Sequence, residues 1–292
     1  MAGEERCISR REFVRIAGAG AAACALGCCC GQRSSGEGGP KAASKIPIGL
    51  QLYSVRSECE KDLPSTIVAV GKMGYEAVEF AGYYGRGAKE LRAMLDANKL
   101  KCCGTHTGLD TLLGDNLKAT IEFNQILGNK YLIVPGLPGE RTASVQAWQD
   151  TAKLFNELAE KVKPHDMQVG YHNHSAEFKA IDGQVPWDLF FGNTSPDVIM
   201  QFDSGNAMHG GGDPVAYIKR YPGRATTVHL KEYSPSNPKA LILEGDMKWD
   251  EFFKACETVG GTKWYIVEYE SDAYPPLVCV DKCLQNLRKK GK

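Results

Sequence analysis

Six histidines occur in the 292 residues, and four of them, His106, His172, His174 and His229, fall at the ends of short β-rich runs. Carboxylates end other such runs: Glu79, Asp203 and Glu268. His209 follows one run by six residues, Glu177 lies just past another, and only His165 falls elsewhere. Imidazole nitrogens and carboxylate oxygens brought to one point make a mixed N/O site for a divalent cation, suited to Mn, Co, Zn or Fe and less so to Ca. The expected ligands are Asp203, His229, Glu268 and one imidazole of Tyr171-His172-Asn173-His174. Strand alternation puts His172 and His174 on one side, so either can bind the metal while the other faces substrate. The assignment adopted gives the metal to His174 and proton donation to His172. Asp203, before Ser204-Gly205-Asn206, also suits a turn-forming Asx motif. Lys231, two residues after His229, is placed to meet an anionic substrate or intermediate.

These residues need elements to bring them together. The β-rich runs are 46–54, 76–80, 101–107, 130–134, 168–174, 198–203, 226–231 and 264–269. Helical stretches follow each: 63–73, 88–98, 117–127, 144–163, 186–191, 214–221, 249–258 and 276–289. Turn residues such as Gly74, Gly128-Asn129 and Gly260-Gly261 separate them. Eight strand–helix units predict an α/β fold, a (β/α)8 TIM barrel spanning 46–292 as a single domain. Active sites of such barrels lie at the carboxyl ends of the strands, where the ionisable residues fall. No GxGxxG opens the first unit, which argues against an open dinucleotide-binding sheet.

Composition narrows the class. With 43% hydrophobic and 24% charged residues the chain is neither disordered nor collagen-like. The 35 basic and 35 acidic residues cancel, but residues from Ile46 onward hold 28 and 31. A mildly acidic body argues against a nucleic-acid partner. The front differs: Ser9-Arg10-Arg11, with Phe13 and Val14, resembles the twin-arginine export motif. The uncharged Ile16–Cys30 stretch is too short for a membrane span, so 1–30 reads as an export signal and 31–45 as a flexible linker. The expected location is periplasmic, by way of the twin-arginine machinery, with a lipid anchor on Cys28 or Cys29 as the alternative to plain cleavage. Five of the eleven cysteines lie in the signal; the other six contain no CxxC pair, which opposes a zinc ribbon. They read as buried thiols, with room for one disulfide in an exported protein.

The stretches GLQLYSVR (49–56), YEAVEF (75–80), YHNHSAEF (171–178), DPVAYIKRYPGR (213–224), VHLKEY (228–233) and IVEYE (266–270) resemble the sugar phosphate isomerase/epimerase family, the xylose isomerase-like barrels. The resemblance implies one divalent metal ion (Mn, Co, Mg, Zn or Fe) held by ligands on the fifth to eighth strands, and a small sugar as substrate. It implies abstraction of a proton beside a carbonyl, giving an epimer, an aldose–ketose isomer or, by loss of a β-substituent, a lyase product. In the family's epimerases the fifth-strand ligand is a glutamate; this chain has imidazole there, and Glu177 is the candidate replacement. Glu268 is the expected base or ligand, and Gln51, Glu79, His106 and His209 the expected substrate contacts. The rivals are a non-catalytic exported sugar-binding protein and a metal-dependent phosphodiesterase.

Overall fold

The computed structural model describes residues 45–292; the segment expected to be an export signal, 1–30, and all but the last residue of the expected linker, 31–45, lie outside the described residues. Eight parallel strands close into a barrel in chain order: β1 Ile48–Gln51, β2 Ala77–Phe80, β3 Lys101–His106, β4 Tyr131–Val134, β5 Gln168–His172, β6 Ile199–Asp203, β7 Thr227–Leu230 and β8 Trp264–Val267, with β8 pairing back on β1. The helices are α1 Arg56–Met73, α2 Ala88–Ala97, α3 Asn116–Leu127, α4 Val145–Val162, α5 Pro186–Phe191, α6 Ser204–His209, α7 Pro214–Arg220, α8 Trp249–Ala255 and α9 Pro276–Lys289.

Local chemistry explains the elements. The Ser144 hydroxyl accepts from the Ala147 N–H and starts α4, which buries Trp148, Ala152, Phe155, Ala159 and Val162 at three- and four-residue spacing. Gly128, at φ 78°, ends α3 in the left-handed region. Two differences from the expected helices have physical causes. First, α1 joins two helical segments: Asp62 leaves helical geometry ahead of Pro64 and its carboxylate caps the Ser65 N–H, so the expected helix from Leu63 follows a kink and a shorter segment from Arg56 precedes it. Second, α6 is absent from the periodic pattern because its residues, SGNAMH, carry no apolar stripe; Asp203 caps it.

The main core lies between barrel and helices, where Trp148, Phe155, Tyr171, Trp187 and Phe190 pack ring on ring. Inside the barrel, Ala77, Cys103 and Ile266 form a separate small apolar cluster. Gln51, Glu79, Gln201 and Thr227, all fully buried, add a polar layer where barrels ordinarily carry branched apolar side chains. A register shift between Val78 and Glu79, which pairs Glu79 with Gly104, leaves Cys103 as an extra residue on β3. Bulges re-aim side chains, and this one lets both Cys103 and His106 face inward. The six cysteines among the described residues are buried and unpaired, so the disulfide allowed for above is not formed there. No helix among the described residues is long and apolar enough to cross a membrane.

Gly170 on β5 tests the closeness of the wall. A β-carbon there would lie 2.7 Å from Ile199 Cβ and its carbonyl oxygen. Gly170→Ala should cost about 1–3 kcal/mol as an overpacking change, read as a fall of several degrees in melting temperature; an unchanged midpoint would contradict the register.

Candidate metal centre

Successive strands β5 to β8 each deliver one ligand-type side chain at their carboxyl ends. His172 ends β5, Asp203 ends β6, His229 is the third residue of β7 and Glu268 follows β8. All four are buried, and each offers one ligand atom within 4.8 Å of the others. Their backbones are stapled together. Asn173 and the Asp203 backbone exchange two hydrogen bonds, of 3.0 and 2.8 Å. The Ser204 hydroxyl donates to the Lys231 carbonyl at 2.8 Å and accepts from the Lys231 N–H at 3.1 Å.

Asp203 divides its carboxylate. Oδ1 accepts the Asn206 N–H at 2.7 Å and caps α6, while Oδ2 is buried, has no partner, and lies 3.9 Å from His229 Nδ1. The Asx reading and the ligand reading of this residue therefore both hold geometrically, one on each oxygen. His172 Nδ1 is likewise buried without a partner. Such orphaned polar atoms are uncommon in folded proteins, and a divalent cation would satisfy both. His229 is gripped at both ring nitrogens: Nε2 lies 2.6 Å from Glu79 Oε2, and Nδ1 contacts Glu268 Oε2 directly. His106 stacks on His229, with centroids 5.4 Å apart, and with His172 and His229 forms a second close group.

The charges follow from this packing. Burial opposes a charge on His229, but Glu79 and Glu268 outweigh it and lift the imidazole to about 10. Burial alone would raise Glu268, yet Lys231 and His229 hold it well below the usual carboxylate range. Burial raises Asp203 to about 7, against the pull of Lys231. Burial, with His229 and His106 nearby, keeps His172 well below the ordinary histidine range and thus neutral. A neutral imidazole, two carboxylates and an imidazole whose far nitrogen is anchored on a carboxylate fit the donor set of a divalent cation. His172, Asp203, His229 through Nδ1, and Glu268 would hold it.

The other expected site residues are placed as follows. β5 stops at His172, so alternation does not extend to His174, which is exposed; the metal assignment passes from His174 to His172. His172, expected as the acid, stands among the ligand-type side chains. Glu177 does not replace a missing carboxylate. It is committed to the Tyr171 hydroxyl (2.8 Å) and the His174 N–H (2.8 Å), and Tyr171 packs outside the barrel. Gln51 and Glu79, expected at the substrate, are fully buried beneath the ligand group. His209 is exposed beside Tyr233, outside the group. Lys231 does reach the centre, with Nζ 3.5 Å from Glu268 Oε1 and in contact with Glu270. Sequence reasoning missed Gln201, which donates to Glu79 Oε1 at 2.7 Å and meets His106 Nε2 at 2.9 Å. The available signal was a lone amide two residues before Asp203 in an apolar strand.

Comparison with known proteins agrees with this architecture. Residues 67–289 match the xylose isomerase-like TIM barrel family. The crystal structure of a sugar phosphate isomerase/epimerase from Parabacteroides distasonis superposes with a TM-score of 0.71 at 27% identity, covering 85% of this chain and 95% of that one. An inosose dehydratase of Erwinia tasmaniensis is 24% identical over 254 residues, 73% of this chain and 84% of its own length. A D-allulose 3-epimerase of Methylomonas sp., solved with D-allulose, shares the fold at 13% identity, with a TM-score of 0.62 and coverage of 84% and 96%.

Two expectations follow. His172→Ala should weaken zinc binding at least tenfold, as loss of one of four donors, and His174→Ala should not; calorimetric titration of zinc into each variant decides between them. His229 lies above its ordinary value of 6.5 in the folded chain, so its charge stabilises the metal-free protein fully below 6.5. That contribution fades as the pH rises toward about 10. Melting temperatures of the metal-free protein should fall across this window, and those of the zinc-loaded protein much less. Equal slopes would contradict the arrangement.

Proposed function

The chain belongs to the xylose isomerase-like TIM barrel family, and on that premise we propose that it is a divalent-metal-dependent sugar isomerase/epimerase acting through an enediolate on a keto- or aldo-sugar. The observation that carries this reading is the convergence of His172, Asp203, His229 and Glu268 with two partnerless buried atoms among them. A divalent cation held there would act as a Lewis acid toward a carbonyl and its neighbouring hydroxyl, stabilising the charge that develops as the adjacent C–H ionises.

The chain's own residues supply the proton chemistry. Glu268 is held ionised by Lys231 and His229 and is in the state needed to accept a proton. Lys231, charged and 3.5 Å from Glu268, is placed to donate a hydrogen bond to a developing oxyanion. The His106 ring, against both His172 and His229, borders the same space.

A second reading, dehydratase or lyase on a keto-sugar or 3-keto-glycoside, has specific support. Glu177 faces away, so no second carboxylate from β5 opposes Glu268 across the substrate, as a two-carboxylate epimerisation needs. The curated relatives that bear the name inosose dehydratase fit that outcome. A non-catalytic sugar-binding role is opposed by the intact ligand group, and a nuclease role by the acidic body.

Export through the twin-arginine route is part of the proposal, supported by Arg10-Arg11 and the uncharged Ile16–Cys30 segment. That route carries folded proteins, so the six buried thiols would be enclosed before reaching an oxidising compartment. Replacing both arginines by lysine should leave the protein in the cytoplasm on fractionation; continued export would overturn this part.

The activity is tested on purified full-length protein reloaded with Mn or Zn. One ion per chain is expected, with deuterium from D₂O appearing at a carbon next to a carbonyl in a panel of keto-sugars and 3-keto-glycosides. Glu268→Gln should slow exchange by about 10²-fold or more. Wild-type exchange in Glu268→Gln at full metal content would remove its catalytic role. A wild type that binds no metal and exchanges no C–H would leave the binding-protein reading in its place.

A further inference from the structure

The polar layer inside the barrel has a hydrogen-bond direction that one backbone donor reveals. The Tyr53 N–H donates to Gln51 Oε1 at 3.0 Å, so the other end of that amide, Nε2, faces Glu79 Oε2 at 2.8 Å. A carboxylate only accepts hydrogen bonds. Glu79 Oε1 receives one N–H of Gln201 at 2.7 Å, and the second N–H of that amide goes to Thr227 Oγ1 at 3.0 Å. Gln201 Oε1 is therefore an acceptor, and the atom facing it at 2.9 Å, His106 Nε2, carries a proton. Glu79 Oε2 also receives His229 Nε2–H at 2.6 Å. One fully buried carboxylate thus orders two imidazoles, His229 directly and His106 through the Gln201 amide, with a longer direct contact of 3.4 Å from His106 Nε2 to Oε2. The chain is shaped to seat it. Alternation on β2 aims it inward like Ala77, and the bulge on β3 sets Gly104 opposite, where a methyl group would strike the carboxylate.

We propose that Glu79 is the positioning residue of this centre: it holds a proton on Nε2 of both His229 and His106, so that His229 offers Nδ1 to the ligand group and His106 offers the Nδ1 lone pair to a substrate hydroxyl. The consequence for substrate rests on the functional reading above; the tautomers do not. Metal-ligating histidines with a carboxylate on the far nitrogen follow the same logic, and loss of such a partner weakens metal binding by about 10–100-fold.

The test uses full-length protein with ¹⁵N-labelled histidine. Long-range ¹H–¹⁵N spectra should show Nε2–H for His106 in the metal-free protein and for both rings in the zinc-loaded protein. In Glu79→Gln an N–H must point toward Gln201 or His229, so at least one ring should move its proton to Nδ1. Zinc affinity should also fall by about 10–100-fold. Gln201→Met removes the amide but leaves His106 Nε2 3.4 Å from Glu79 Oε2, so it should loosen the His106 tautomer less than Glu79→Gln does and leave the His229 tautomer in place. If Glu79→Gln does not fold, the wild-type spectra carry the test, since a proton on Nδ1 of His106 overturns the proposal without any variant. Both rings keeping Nε2–H without Glu79, or zinc bound at His229 Nε2 in the wild type, would overturn the proposal. The expected tautomers in a wild type that exchanges no sugar C–H would uphold it while removing the functional reading.

Discussion

His229 stands between two carboxylates in the middle of a closed barrel, with no exposure to solvent. A charged triad in such a place is costly unless every member is paired, and removing one partner of a buried pair commonly costs about 3–5 kcal/mol. The rest of the interior is arranged around this constraint. Gln51, Gln201 and Thr227 complete the hydrogen bonding of Glu79 and its neighbours, Lys231 balances Glu268, and Gly104 and the bulge on β3 make the space. An apolar filling would stabilise the barrel more simply. The polar one holds a group whose chemistry depends on charge.

Outside the barrel the same economy recurs in the loops. Asp203 is at once the cap of α6 and a member of the ligand group. Ser204 and Asn173 tie β5, β6 and β7 together within a residue or two of their ligands, so the spacing of the group is set by backbone hydrogen bonds. Glu177, hydrogen-bonded to Tyr171, shapes the loop that follows His172. Ligands on strand ends braced by such contacts are more precise than ligands on free loops.

Much of this was legible in the residues. The eight alternations of strand and helix, and the placement of Asp203, His229 and Glu268 at strand ends, follow from patterning and from where barrels keep their chemistry. What escaped reading depended on where a strand stops or bulges. His174 was grouped with His172 because alternation was carried past the end of β5. Strand periodicity gives the face of Glu79 and Gln51 and not their depth, so it does not separate a substrate contact from a side chain buried in the barrel interior. Glu177 could not be placed because a side chain beyond a strand end can fold to either side of the wall. Gln201 was passed over as one amide in an apolar run, since its meaning lies in partners 122 and 95 residues away in sequence.

On the proposed reading, one divalent ion would be held by four side chains from four successive strands. X-ray absorption at the zinc edge on the zinc-loaded full-length protein tests it most directly. The account predicts a single zinc environment with two imidazole nitrogens and carboxylate oxygens, all near 2.0–2.2 Å. His172→Ala should lose one imidazole from that shell, and His174→Ala none. A shell without imidazole, or one that His174→Ala alters and His172→Ala does not, would contradict it.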